Sequence, residues 1–320
     1  MSPGPAADPP HISVIMPCLN GLPFLREAVA GVLAQSVSME LLYVDGGSTD
    51  GSMEWVESLA HPAVRTFSVP LGTPPGDARN LGAREARGGW LAFADADDAW
   101  RPDKLQRQLA ALRGSDAKLV FSDCEVVDAA GRRLGGFQQR HRPRSGRVFS
   151  DLLDGNFVPL STVVVERQAL LDAGGFPAGL RIASDYLLLL KLARRVPFLF
   201  VPEELVRYRI HPGNMTGDFR RTYAENLSLL DRLSVELVGM DPEERDAVNR
   251  AGALIYWRWA IQEWMAGPSA WPEVPALATR AMNRAGGMAQ GLRTLVAAMR
   301  GALRGLGVRL KMRAARRGPS

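Results

Sequence analysis

Three carboxylates stand within four residues at Asp95-Ala96-Asp97-Asp98, directly after the apolar run Gly89 to Ala94 and ahead of Trp100, Arg101 and Pro102. A run of that kind reads as a parallel strand covered on both faces, and in open α/β sheets ligands collect in the crevice beyond the carboxyl end of such strands. Carboxylates this close raise one another's pKa unless a cation neutralises them. The chemistry that fits is a hard, oxygen-seeking ion such as Mg2+ or Mn2+, held together with substrate phosphates. A local reading competes with it. Asp97 and Asp98 can open a helix with Pro102 at its first position, because acids there offset the helix dipole.

Two turns and one short helix carry further groups toward the same edge. The first apolar run ends in Met16-Pro17-Cys18-Leu19-Asn20 and the second in Tyr43-Val44-Asp45-Gly46-Gly47-Ser48-Thr49-Asp50-Gly51. Gly46 and Gly47 let the backbone approach a ligand, and Asp45 can accept hydrogen bonds from a base or ribose. Asp50 suits helix capping as well as it suits a ligand. In Gly76-Asp77-Ala78-Arg79-Asn80-Leu81-Gly82, Arg79 and Asn80 offer donors and Gly82 permits close helix packing.

The elements that must position these groups follow from periodicity. Residues 12 to 123 alternate β-rich runs (Ile12 to Met16, Glu40 to Val44, Val64 to Val69, Trp90 to Ala94, Lys118 to Ser122) with helical spacing over Leu22 to Gln35, Ser52 to Ala60, Asp77 to Arg87 and Pro102 to Leu112. That pattern predicts βαβ units. Beyond Cys124 a hairpin is expected over Glu125 to Phe137, a polar, lid-like loop over Gln138 to Arg147, and a strand at residues 161 to 165. Helices then read at Gln168 to Ala173 and Asp185 to Arg195, and strands at Phe198 to Val201 and Leu205 to Ile210. Helices follow over Tyr223 to Val238, Glu243 to Met265, Pro275 to Ala285 and Leu292 to Arg317.

Bulk properties exclude several classes. Two cysteines, Cys18 and Cys124, are too few to staple 320 residues and match no zinc spacing, so a reducing compartment is expected. Residues 1 to 10 read as a disordered lead rather than a signal peptide, and no apolar stretch is long enough to span a bilayer. The formal charge of +5 conceals an asymmetry, since Val274 to Ser320 holds ten Lys or Arg and no acid. Residues 291 to 320 therefore read as a basic segment, amphipathic on an anionic membrane surface or simply solvated. Nucleic acid is not expected as a partner, because no stacking surface or recognised motif accompanies the basic stretch.

In their order and spacing the motifs resemble those of the family 2 glycosyltransferases, over roughly residues 11 to 216. Pro17 to Asn20 is similar to that family's Pro-x-x-Asn turn, and Asp45 to Asp50 to its Asp-Asp-Gly-Ser-Thr-Asp turn, with Gly46 in place of the second acid. Ala78 to Gly82 matches Ala-Arg-Asn-x-Gly, and Asp95-Ala96-Asp97 matches the metal-binding Asp-x-Asp. Gly174-Gly175-Phe176, Ser184-Asp185-Tyr186 and Tyr208-Arg209-Ile210-His211 complete the series.

The resemblance implies an α/β fold of GT-A type: a nucleotide-binding, mostly parallel sheet flanked by helices, with a helical C-terminal extension. It divides the chain into a nucleotide-sugar half (11–123), an acceptor half with the base (124–216), a helical extension (217–290) and the basic tail (291–320). Asp185 is then the general base. Pro17, Asn20, Asp45, Arg79, Asn80, Asp95 and Arg209 bind the nucleotide sugar, Arg209 at its diphosphate. Asp97, Asp98 and His211 are the metal-site residues for Mn2+ or Mg2+.

The activity implied is inverting transfer of a sugar from a nucleoside diphosphate sugar, UDP-linked, to a saccharide or lipid-linked acceptor in bacterial surface polysaccharide or glycoconjugate synthesis. The expected location is the cytoplasm, peripheral to the inner face of the plasma membrane. Two other readings stand beside it: a non-catalytic, membrane-associated binding or scaffold protein, and a sugar nucleotidyltransferase. The latter would place a Gly-rich, Arg-containing loop where Pro17-Cys18-Leu19-Asn20 stands.

Overall fold

The computed structural model describes residues 11–139, 143–215, 218–236 and 239–303. The lead at 1–10, the middle of the polar loop, Thr216, the end of the helix expected to close at Val238, and the tail beyond 303 lie outside the described residues.

Among the described residues, nine strands form one sheet in the order β3-β2-β1-β4-β8-β6-β9-β5, with β7 paired to β6. The first part is parallel: β1 (Ile12–Cys18) lies between β2 (Met39–Asp45) and β4 (Trp90–Phe93), and β3 (Val64–Ser68) lies outside β2. Register fixes what matters for function. Cys18 pairs with Asp45 and Ile15 with Phe93, so the turns after β1 and β2 and the acids after β4 emerge together.

Beyond β4 the sheet is mixed. β8 (Val164–Glu166) runs against both β4 and β6 (Leu119–Asp128), while β9 (Phe198–Ile210) runs parallel to β6. The two short strands expected at 198–201 and 205–210 are one bulged strand. Its pairing skips from Val201 to Glu204, placing Pro202, which has no N–H to give a ladder, at the irregularity. β5 (Ala99–Trp100), only two residues long, pairs antiparallel with β9 and was not expected. β7 (Arg133–Gly136) completes the expected hairpin with β6.

Alternation along β1 sends Ile12, Val14 and Met16 to one apolar layer and Ile15 to another. The first layer is closed by α1 (Leu22–Leu33) through Leu25, Ala28, Val29 and Val32, by α2 (Ser52–Ser58) through Val56 and by α4 (Lys104–Leu112) through Leu105. The second lies under α3 (Pro75–Glu85), α5 (Phe149–Leu153), α6 (Arg167–Asp172) and α7 (Ser184–Arg195). α3 sits close because a Cβ on Gly82 would stand 2.5 Å from Ile15 Cγ2.

The segment expected as a strand at 161–165 begins as a 3-10 turn, Leu160–Thr162, before β8. The far end of the polar loop is anchored, since Gly146 exchanges two backbone hydrogen bonds with Phe198, at 2.7 and 2.9 Å.

Four helices follow: α8 (Phe219–Glu236), α9 (Pro242–Ala266), α10 (Glu273–Arg284) and α11 (Met288–Leu303). α8 adds Leu227, Leu229, Leu230 and Leu233 to the second layer. α9 starts with a capping box in which Asp241 accepts from the Glu244 N–H at 2.8 Å and Glu244 from the Asp241 N–H at 3.2 Å. α10 and α11 join α9 around Leu254, Trp257, Ala260, Leu277, Ala281 and Ala298. Among the described residues no helix is long and apolar enough to cross a membrane.

Candidate functional site

The turns after β1 and β2 are bound to each other by their own polar side chains. Asn20 adopts a left-handed backbone (φ 54°), a conformation Asn tolerates better than most residues. Its Oδ1 accepts from the Thr49 N–H at 2.8 Å, and its own N–H donates to Ser48 Oγ at 2.9 Å. Asp45 is buried and folded back into its turn, accepting from the Gly47 and Ser48 N–H groups at 2.9 and 2.8 Å and from the Tyr43 hydroxyl at 3.3 Å. Asp50 joins two helix starts. It accepts from Leu22 N–H at 2.9 Å and from Ser52 N–H and hydroxyl at 3.0 and 2.6 Å, which holds its carboxyl below the usual range. Pro17, in β1, precedes this clamp.

α3 contributes Arg79 and Asn80 with different results. Asn80 turns away from the sheet edge and grips Phe176, donating to its carbonyl and accepting from its N–H, both at 2.8 Å. Gly175 leaves room for that grip, since a Cβ there would stand 2.6 Å from Asn80 Oδ1. Arg79 donates to Asp95 at 2.6 Å and lies over the Phe176 ring at 5.7 Å, while its Nε has no hydrogen-bond partner.

The acids after β4 separate into three environments. Asp95 is tied to Arg79, yet burial and the nearby Asp97 still leave its carboxyl raised. Asp97 Oδ2 meets His211 Nε2 at 3.0 Å and accepts from Asn214 Nδ2 at 3.2 Å. Because His211 Nδ1 accepts from Gly213 N–H at 3.2 Å, the ring proton stands on Nε2, facing Asp97. Asp98 is buried, accepts from Arg209 N–H at 3.0 Å through Oδ1, and keeps Oδ2 without a partner. Burial first, and then Asp97 and Asp95, push its carboxyl well above the ordinary range.

Each nitrogen of the Arg209 guanidinium faces a protein partner. Its Nε donates to the Asp97 carbonyl at 2.9 Å, Nη1 faces the Ala129 carbonyl at 3.3 Å, and Nη2 pairs with Glu27 at 2.6 Å. With its guanidinium also over the Phe24 ring at 4.9 Å, it is a buried brace for the acid loop.

Asp185 lies in the first turn of α7 but does not cap it. The N-cap is Ala183, and Asp185 accepts from the next N–H, Tyr186, at 2.7 Å. The amides ahead of the helix are satisfied by Glu225 of α8, which accepts from Ile182 and Ala183 N–H at 2.7 and 3.3 Å. Gly76 lets α3 and α7 approach, for a Cβ there would stand 2.9 Å from Ser184 Oγ. The approach brings Asp185 within the fields of Arg79 and Asp95. Burial pushes its carboxyl up to about 6, with Arg79 pulling the other way and Asp95 adding to the rise.

Asn214, Glu27, Phe24 and Glu225 take part here without having been singled out from the sequence. Asn214 stands three residues after His211, the last residue of the Tyr208 to His211 motif, whereas Glu27 lies 182 residues from Arg209 and carries no local signal.

Among the described residues no three His, Cys, Asp or Glu side chains converge as a complete metal cage. Asp97 Oδ2 and His211 Nε2 do converge, one oxygen donor and one nitrogen that becomes a donor when the ring proton moves to Nδ1. That set fits an ion such as Mn2+ or Mg2+, which takes one or two protein ligands and completes its shell with water and substrate phosphate. Asp98 lies buried beneath.

Comparison with known proteins gives a consistent result. The family model described as "Glycosyl transferase family 2" matches residues 13–171. The succinoglycan biosynthesis protein ExoO of Rhizobium meliloti is 28% identical over 249 residues, covering 74% of this chain and 72% of the relative. The putative teichuronic acid biosynthesis glycosyltransferase TuaG of Bacillus subtilis is 31% identical over 162 residues, 50% of this chain and 63% of the relative. Among solved structures, S. aureus TarS 1-349 in complex with UDP-GlcNAc superposes with a TM-score of 0.69 at 18% identity, covering 96% of this chain and 89% of that one. The mannosyltransferase PcManGT from Pyrobaculum calidifontis, in complex with GDP-Man and Mn2+, gives 0.58 at 21% identity over 97% and 85%.

Proposed function

Because the chain belongs to glycosyltransferase family 2 and has the GT-A fold, we propose that it moves a sugar, with inversion, from a nucleoside diphosphate sugar to an acceptor hydroxyl in surface polysaccharide or glycoconjugate synthesis. A UDP-linked donor is the first choice, by analogy with the ligand of TarS. The observation that carries the reading is the joining of two groups by one ion pair. Asp185, with its carboxyl raised to about 6, is coupled through Arg79 to Asp95, two residues before the Asp97–His211 pair.

Asp185 takes the proton of the attacking hydroxyl. A carboxyl titrating near 6 is largely ionised at neutral pH yet more basic than an ordinary aspartate, which is the compromise general-base catalysis favours. The hydroxyl oxygen bonds to the anomeric carbon as the bond to the diphosphate breaks on the opposite side, so one displacement inverts the centre. Asp97 and His211 would hold Mn2+ or Mg2+, whose charge offsets that developing on the departing diphosphate. Arg79 fixes Asp95, and Arg209 holds the Asp97 carbonyl, so the acid loop keeps its shape through the reaction. Asn20 and Asp45 act by shaping the turns around the nucleotide, and Asn80 by fixing Phe176 beneath Arg79.

The same reading places the protein on the inner face of the plasma membrane. Met288, Leu292, Val296 and Met299 of α11 are exposed at intervals that put them on one helix face, with Arg293 and Arg300 in the same helix. An apolar face with basic residues beside it suits an anionic bilayer surface, and with it a lipid-linked acceptor.

A panel of nucleoside diphosphate sugars, screened by thermal shift with Mn2+ and then by nucleotide release with candidate acceptors, tests the proposal. One donor should stabilise the protein, and the anomeric configuration of its product, read by NMR, should be inverted. Retention would refute the displacement. Donor binding without nucleotide release from any acceptor would favour the scaffold reading.

A further inference from the structure

Asp185 owes its place to a residue of the helical extension. The helix that carries it, α7, begins at Ser184, and the N-cap residue, Ala183, has no side-chain oxygen to accept the amides left free at a helix start. The acceptor comes from α8, beyond the residues 13–171 matched by the family model. Glu225 Oε2 accepts from the Ile182 N–H at 2.7 Å and from the Ala183 N–H at 3.3 Å. Arg221, one turn earlier on α8, donates from Nε to Glu225 Oε1 at 3.2 Å. One carboxylate oxygen is thus held by α8 and the other is turned to α7.

The helix that supplies this cap is itself anchored. Leu229, Leu230 and Leu233 of α8 are buried in the second apolar layer, and Leu229 stands four residues from Glu225, on the same helix face. Arg232 donates to the Ala178 carbonyl at 3.3 Å, so α8 grips the segment between Phe176 and α7 at two points. From the other side α3 presses on Ser184, where a Cβ on Gly76 would stand 2.9 Å from its Oγ. Ile182, Ala183 and Ser184 are therefore all held, and Asp185 comes next. The backbone that carries a base sets the direction of its carboxylate, and a misplacement of about 1 Å can cost about 10²-fold in rate. The groups that Glu225 touches, Ile182, Ala183 and Arg221, belong to none of the turns after β1, β2 and β4. Its influence should reach the rate and spare the nucleotide.

We infer, on the reading of Asp185 as the base, that Glu225 is a positioning residue: by capping α7 from another helix it fixes the direction in which Asp185 presents its carboxylate to the acceptor.

The test compares full-length Glu225→Ala, Glu225→Gln, Asp185→Asn and the double variant Glu225→Ala/Asp185→Asn with wild type. UDP affinity is measured by calorimetry, and kcat with the donor and acceptor that the panel above selects. UDP affinity should match wild type throughout, which also reports folding. In Glu225→Ala kcat should fall about tenfold, whereas Glu225→Gln, whose amide oxygen can accept the same two N–H groups, should keep nearly all of it. The double variant should be no slower than Asp185→Asn, because a residue that acts through Asp185 has nothing left to position. If Glu225→Ala loses UDP binding, the comparison moves to Glu225→Asp, which keeps the charge but draws it back by one methylene, and the same loss of kcat is expected there. A wild-type kcat in the Ala or Asp variant, equal losses in Glu225→Ala and Glu225→Gln, or a further loss in the double variant would overturn the inference and leave the base standing. Turnover near wild type in Asp185→Asn would instead defeat the reading of Asp185 as the base, and the inference with it.

Discussion

The loops that leave β1, β2 and β4 share one sheet edge and treat their polar side chains in opposite ways. After β1 and β2, Asn20, Asp45 and Asp50 are all committed to backbone amides within 3.0 Å. After β4, Asp98 keeps a buried oxygen without a partner, Arg79 keeps an unpaired Nε, and Asp95, Asp98 and the facing Asp185 all have raised carboxyls. One edge stores order and the other stores carboxyls pushed out of their ordinary range. Perturbed acids that the fold itself does not neutralise mark the place where a ligand or a reaction will.

The contrast can be broken by substitution on either side. The largest effect is expected at Asp97. Asp97→Ala should lower donor affinity measured with Mn2+ by about 10²-fold and abolish the difference between titrations with and without the ion. An unchanged, still metal-dependent affinity would remove Asp97 from the metal site.

The pH dependence comes next and has a definite sign. Asp185 must be ionised to act, so kcat should fall about tenfold per pH unit below about 6 and level off above it. Stability runs the other way. The folded protein holds this proton more tightly than the unfolded chain, so the associated stability is complete below the ordinary aspartate range and is lost as pH rises through about 6. A kcat profile flat from pH 5 to 8 would separate Asp185 from the chemistry.

Smaller, and purely structural, effects should follow where side chains are committed to backbone groups. Asn80→Ala removes two hydrogen bonds to Phe176, and Asp50→Ala removes those to Leu22 and Ser52. Each should cost roughly 1–3 kcal/mol in urea unfolding, because buried backbone groups lose their partners. Donor affinity should change by less than about threefold in Asp50→Ala. A larger loss there with stability intact would mean that Asp50 touches the ligand.

The residue types at the site were readable from the sequence, whereas their partners were not. Acids at the ends of apolar runs identify themselves, and parallel strands announce their common edge through alternation and spacing. Whether Asp45 faces a ligand or its own Gly47 and Ser48 amides depends on a turn geometry that composition does not encode. Arg209 carries a motif suited to a diphosphate, yet Glu27 and Phe24, far away in sequence, hold it as a brace. Short elements escaped for a simpler reason: β5 has two residues and α5 has five, too few to establish a period. The bulge at Pro202 looked like a strand end because proline interrupts the apolar pattern in both cases.

The central claim is that Asp185 supplies the chemistry while the rest of the edge supplies the binding. Measuring turnover and donor affinity side by side in Asp185→Asn tests it most directly. Transfer should fall by about 10²- to 10⁴-fold with the donor dissociation constant nearly unchanged. Turnover close to wild type, or a loss of transfer matched by an equal loss of donor affinity, would contradict the account.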